Sequence, residues 1–316
     1  MNDRVRPRRG PGSVIIIPEA PRPRGTVRIA YTSDLHTDHS PENRRLLELL
    51  AERLVREAPD AFVLIGDMAS RPTVIGESLA RLADTPGDKL FVAGNHDVWV
   101  SLREQHRGVD SFRRLDEELP ALCAEHGWVY LDAGPHRVGD TAFVGGMGWY
   151  DYELRNRARD GEITLEHFRQ KSYGTWRWGD LHYARFPADS TDERLSDPAL
   201  CELLSERLRR HLAEVAALDV DHVVAAFHHL PYDALQPPGR LPWDFFLGFA
   251  GSPRFGKLLD TEDRLAAVLF GHVHMKLALF TPRGVPLRCS CVGYARHWPE
   301  KDLNLVLDRS LAFIEI

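Results

Sequence analysis

Three times within its first hundred residues the chain runs through a short apolar stretch and stops on a group able to ligate a metal or move a proton. Val27-Arg28-Ile29-Ala30-Tyr31-Thr32-Ser33 ends on Asp34-Leu35-His36, Phe62-Val63-Leu64-Ile65 on Gly66-Asp67, and Lys89-Leu90-Phe91-Val92-Ala93 on Gly94-Asn95-His96-Asp97. The middle run is apolar throughout, which suits a strand covered on both faces and therefore parallel pairing. Helical patterns separate the runs. Ser40-Pro41-Glu42 supplies a cap, a helix-opening proline and a first-turn acid, and Leu46, Leu47, Leu50 and Leu54 then fall on one stripe. A second helix is predicted around residues 73–82. Alternating strands and helices predict an α/β fold, and ligands in open α/β sheets sit just beyond the carboxyl ends of the strands. A single Asp in such a place is more commonly a helix cap. Three such loops in succession favour a functional site.

Two later runs repeat the form: His222-Val223-Val224-Ala225-Ala226-Phe227 ends on His228-His229, and the 265–270 run ends on Gly271-His272-Val273-His274. Helical sequence is predicted at 111–125 and 197–218, strand pieces at 128–131 and 141–144, and antiparallel strands at 277–280, 287–292, 303–307 and 311–316. Residues 146–190 mix tryptophan, tyrosine, phenylalanine and arginine without a sustained period. They read as an inserted aromatic-rich cap over the loop end of the sheet, its rings forming a small core or a stacking surface for a substrate ring. Arg155, Arg157 and Arg159 in it either clamp a phosphate or face solvent. Residues 1–24 are Arg- and Pro-rich and predict a flexible tail, with 14–17 lying against a sheet edge. The folded domain is expected over 25–316.

With 43% hydrophobic and 27% charged residues among 316, the chain has an ordinary globular composition. A net charge of -6 and a pI near 6.2 give no electrostatic basis for binding long nucleic acid. Four cysteines in this length are no disulfide scaffold and favour a reducing compartment. No stretch is long enough to cross a membrane, so a cytoplasmic protein is expected. Cys289-x-Cys291 reads as strand core. The unusual count is 15 histidines.

The strand-end groups are oxygen and imidazole donors without a thiolate, a set suited to Mn, Fe or Zn rather than to a structural cysteine site. Asp34 and His36, two residues apart, can face one ion from the same side. His272 and His274 can divide between two ions about 4 Å apart, with Asp67 on a central strand as the natural bridge.

In order, Asp34-x-His36, Gly66-Asp67, Gly94-Asn95-His96-Asp97, His228 and Gly271-His272-x-His274 resemble the calcineurin-like metallophosphoesterase superfamily, whose pattern is D-x-H, G-D, G-N-H-[DE], H and G-H-x-H. The resemblance covers residues 26–280. It implies a four-layer αββα sandwich, two mixed β-sheets flanked by helices, with two metal ions at the sheet ends. It also implies that Asp34, His36 and His274 bind the first metal, and Asn95, His228 and His272 the second, with Asp67 bridging. A hydroxide between the ions would attack phosphorus in line. His96, beside Asp97, would stabilise the transition state or protonate the leaving oxygen, so this pair is the catalytic candidate. In the fourth block His228 is the assigned ligand because it directly follows the apolar run, although His229-Leu230-Pro231 also fits an H-x-P reading. Adjacent strand residues point oppositely, so the two do not share an ion. The expected activity is metal-dependent hydrolysis of a small phosphate monoester or diester. The alternatives are a nuclease or cyclic-nucleotide phosphodiesterase, and a non-catalytic metal-binding scaffold of the same fold. A scaffold should lack ligands or the His96 position, and here every motif position is filled.

Overall fold

Side chains of a strand alternate between its two faces, and this alternation sorts the core into layers. Along Ala61–Ile65, Phe62 and Leu64 join the cluster that holds Leu46, Leu50 and Leu54 of the helix Pro41–Glu57. Ala61, Val63 and Ile65 point the other way and pack with Val224, Ala226, Ala267 and Leu269. The second sheet does the same in mirror fashion: Val223, Ala225 and Val268 face the helix Asp197–Ala216, whose Leu200, Leu204, Leu208 and Val215 are buried. Helices, sheet, sheet and helices therefore stack as four layers. The computed structural model describes residues 25–188 and 193–316, so the expected tail at 1–24 and the run 14–17 lie outside the described residues.

The first sheet has the spatial order Ala312–Glu315, Arg28–Thr32, Ala61–Ile65, Asp88–Val92, Val129–Tyr130, all parallel except the antiparallel pairing of Ala312–Glu315 with Arg28–Thr32. The second runs Leu277–Phe280, Pro286–Cys289, Leu265–Phe270, His222–Phe227, Thr141–Gly146, His136–Val138, with a parallel centre and an antiparallel pair at each edge. Parallel pairing puts the carboxyl ends of five strands, and the loops that follow them, at one end of the sandwich, where the sheets are stitched together. Ser33 pairs in parallel with Cys291, and the N–H groups of Val292 and Gly293 donate to the Ser33 and Asp34 carbonyls, each at 3.0 Å.

Two expectations for the C-terminus are corrected. Residues 303–307, expected as a strand, lie in the helix Leu303–Ser310, capped by Asp302 accepting from Asn304 N–H. The strand Pro286–Cys289 pairs in parallel with Leu265–Phe270 and antiparallel with Leu277–Phe280, so the tail is mixed rather than an antiparallel run. Cys289 is core as expected, but Cys291 lies past the strand end and lines the cleft described below. All four cysteines are free thiols.

Candidate metal centre

The loops after the strands turn back sharply. Asp34, His36, Asp67, His272 and His274 all adopt positive φ, between 45° and 69°, in the left-handed region that non-glycine residues seldom enter. Close approach also demands glycine: at Gly66 (φ 74°) an added Cβ would lie 2.4 Å from Nδ1 of His228. The strand-end loops are thus bent, at the cost of local strain, to bring their side chains together.

Two groups of ligand-type atoms result. Asp34, His36, Asp67 and His274 form one, and Asp67, His228 and His272 the other. Asp67 belongs to both, and its two oxygens divide between them. Its Oδ2 lies 3.7 Å from His36 Nε2, and its Oδ1 lies 3.5 Å from His228 Nε2 and accepts from His96 N–H at 2.9 Å. Asn95 Oδ1 completes the second group, 3.2 Å from His228 Nε2. Of the two adjacent histidines, the structure brings His228 into the group. His229 turns away, bonding the Met147 carbonyl through Nδ1, with its ring against those of Trp149 and His272.

The donors fit cations. His228 holds its Nδ1 against the Ile65 carbonyl at 3.0 Å and His272 its Nε2 against the Phe249 carbonyl at 3.2 Å, which frees the opposite nitrogens. Those nitrogens then lie only 3.1 Å apart, as do His36 Nε2 and His274 Nε2. Asp34 Oδ1 is buried and receives no hydrogen bond, although His274 Nε2 is 3.1 Å away. Imidazole nitrogens and carboxylate oxygens converging at these spacings are what a bound cation satisfies.

The electrostatics agree. Burial opposes ionisation of Asp34 and Asp67, yet the surrounding imidazoles hold Asp34 at about 2 and Asp67 well below the carboxylate range. Burial keeps His36 and His272 neutral, the latter at about 3. Burial also works against a charged His228, but Asp67 and Asp34 push it up to about 10, and Asp34 likewise raises His274. Without metal at neutral pH the His228 ring carries a proton that ligation must displace. Metal binding is therefore expected to release protons, with affinity rising with pH. Calorimetry in two buffers of different ionisation enthalpy reads this directly, and identical heats in both would refute it.

The two catalytic candidates part company. His96 faces the cleft, its ring stacked on Trp99 at 3.6 Å and its Nε2 4.0 Å from Asp67 Oδ2. Asp97 is fully buried, and its oxygens accept from the N–H groups of Asp67, Met68, Ala69 and Gly94 at 2.7–3.1 Å. It ties the Asp67 loop to its neighbour and does not face the cleft.

Sequence reading missed two residues. Tyr294 stacks on His36 at 4.4 Å, with its hydroxyl 3.4 Å from His96 Nε2. A signal existed: the strand-like stretch 287–292, alternating apolar and polar residues, runs straight into Gly293-Tyr294, again a glycine and a polar-tipped residue. Asp180, buried, accepts from Asn95 Nδ2 at 3.0 Å. Nothing in its aperiodic surroundings marks it. Of the expected cap, Trp149, Tyr150, Tyr152, Phe168 and Phe186 are buried core, and Trp178 alone of the aromatics between 149 and 186 lines the cleft. Arg155, Arg157 and Arg159 pair with Asp160, Glu153 and Asp244 rather than lining it.

A sequence profile described as calcineurin-like phosphoesterase matches residues 27–276. The chain belongs to that family. It is a metal-dependent phosphoester hydrolase, and the four layers are the family's fold. Among relatives, this phosphoesterase is 26% identical over 282 residues to the [acyl-carrier-protein] phosphodiesterase PptH of Mycobacterium tuberculosis, spanning 84% of this chain and 78% of that protein. The gene 66 protein of Mycobacterium phage L5 is 28% identical over 186 residues, 48% of this chain and 87% of that one. The crystal structure of the M. tuberculosis phosphopantetheinyl hydrolase PptH superposes with a TM-score of 0.65 at 22% identity, covering 92% of this chain and 96% of that one. No helix among the described residues is long and apolar enough to cross a membrane.

Proposed function

We propose that this phosphoesterase is a two-metal phosphodiesterase that cleaves a diester joining a protein to a small arm. The observation that carries the two-metal reading is the division of the Asp67 oxygens between two ligand groups. Asp34, His36 and His274 would hold one ion and Asn95, His228 and His272 the other, with Mn, Fe or Zn suited to these donors. When bound, the ions supply Lewis-acid stabilisation of phosphoryl oxygens and an activated water.

The chain's own groups do the rest. The Ser70 hydroxyl lies 3.4 Å from His96 Nδ1. Donating there, it keeps the His96 proton on Nε2, the nitrogen that faces the centre. Trp99 and Tyr294 fix the plane of that ring, so the proton is held where a leaving oxygen develops charge. Asp97 positions the loops. The diester assignment draws on the likeness to PptH over most of both chains and on the cleft, about 1060 Å³, with an apolar wall that includes Trp178, Phe246 and Leu247.

The test is to strip the metal and assay p-nitrophenyl phosphate against bis(p-nitrophenyl) phosphate with Mn, Fe, Zn or Mg added back singly. Two ions per chain and faster turnover of the diester are expected. One ion at saturation would remove the two-metal reading, and a preference for the monoester would remove the diesterase.

A further inference from the structure

The mouth of the cleft is charged against the balance of the whole chain. The protein carries a formal net charge of -6, yet Arg177, Arg240, Lys276 and Arg296 all line this cleft, and none has an ion-pair partner among the described residues. Elsewhere some exposed arginines are paired, as in Arg81–Glu48, Arg157–Glu153 and Arg254–Glu202, while others such as Arg44 and Arg210 have no ion pair among the described residues. What sets these four apart is that they share one cleft. In the cleft itself Arg309 is neutralised by Glu300 at 2.8 Å. Four uncompensated cations exceed what one diester, with a single negative charge, calls for. Arg296 stands beside the centre, its guanidinium 4.8 Å over the Tyr294 ring.

A ladder of rings leads outward from the metal ligands along the same cleft. His272 meets Trp178 at 5.6 Å, Trp178 meets Phe246 at 5.7 Å, and Phe246 meets Trp243 at 6.1 Å. Trp243 ends the ladder at the surface, 52% exposed, and Met275 beside Lys276 is 44% exposed. A groove for single-stranded nucleic acid needs cations tracking the backbone along its whole length. Here an apolar passage leads inward from a cationic, partly apolar rim. That arrangement suits a thin, largely uncharged arm reaching the centre while a bulky anionic body stays outside.

Resting on the diesterase reading, we propose that Arg177, Arg240 and Lys276, together with the exposed Trp243 and Met275 of the same cleft, dock an acidic face of the protein that carries the scissile phosphodiester. Complementary charge at a rim accelerates encounter and is weakened by salt.

The test compares two substrates on the metal-loaded enzyme: an acyl carrier protein bearing a phosphopantetheine arm, and bis(p-nitrophenyl) phosphate. Raising salt from about 0.05 to about 0.3 M should raise KM for the carrier protein by roughly tenfold and leave the small diester unaffected. The combined Arg177→Glu, Arg240→Glu, Lys276→Glu variant should do the same at low salt, with kcat on the small diester unchanged. Carrier-protein KM insensitive to both salt and charge reversal overturns the proposal, as does a short oligoribonucleotide cleaved faster than the carrier with the same salt sensitivity. If the small diester is cleaved and the carrier protein is not, docking falls alone. If neither is cleaved with any metal, the diesterase reading falls first.

Discussion

Asp67→Asn is expected to lower kcat by roughly three orders of magnitude and to remove metal-induced stabilisation, because one side chain serves both ligand groups. The carboxylate presents Oδ2 toward His36 and Oδ1 toward His228. An amide of the same shape keeps one oxygen and turns an N–H₂ toward the other group, where it meets imidazoles instead of supporting a cation. It also removes the charge that, with Asp34, raises His228. Two readouts separate this from misfolding. Metal-free circular dichroism should match the parent protein. Metal at about a hundredfold over its dissociation constant, which adds about 2.7 kcal/mol to the parent, should move the variant's midpoint little. Retention of both metal-dependent turnover and a full metal-induced shift would show that Asp67 does not bridge.

The legible part of this site is the part that strand ends deliver. Five apolar runs stop on Asp, Asn or His, and parallel pairing gathers their ends whatever their separation in sequence, so the candidate ligands could be named before any contact was known. What sequence does not carry is the bend that aims them: five assigned ligands sit at positive φ, a conformation their residue types do not announce. Nor does it decide between His228 and His229, both almost fully buried; the choice is made by the missing Cβ of Gly66, which leaves room for the His228 ring.

The misread helix Leu303–Ser310 shows the limit of pattern. Leu303, Leu305 and Leu307 alternate like a strand, yet the buried positions are Val306, Leu307 and Ser310, spaced as one helical face, and Leu305 is 48% exposed. Asp302 before the run and Arg309 in its last turn were the helix signals that outweigh the alternation.

Asp180 lies deeper than any motif, and its removal should show why it is there. Its Oδ1 accepts from Asn95 Nδ2 at 3.0 Å and Trp99 Nε1 at 2.6 Å, and its Oδ2 from Tyr150 Oη at 2.8 Å and Trp178 Nε1 at 2.7 Å. A carboxylate only accepts, so Asn95 must turn its nitrogen to Asp180 and its oxygen to His228. The same group anchors Trp99 behind His96 and Trp178 beside His272. In Asp180→Asn one oxygen becomes N–H₂ and faces two donors. Tyr150 can rotate its hydroxyl to accept, but a tryptophan N–H cannot, so either Trp178 or the Asn95–Trp99 pair loses its acceptor. Affinity for the ion at the Asn95 group is then expected to fall about 10- to 100-fold, and kcat with it at limiting metal. Excess metal should restore much of kcat, which a merely loosened core would not permit. Unchanged metal affinity in a folded Asp180→Asn protein would reduce this carboxylate to a packing element, and Asn95 would then have to be oriented by His228 alone.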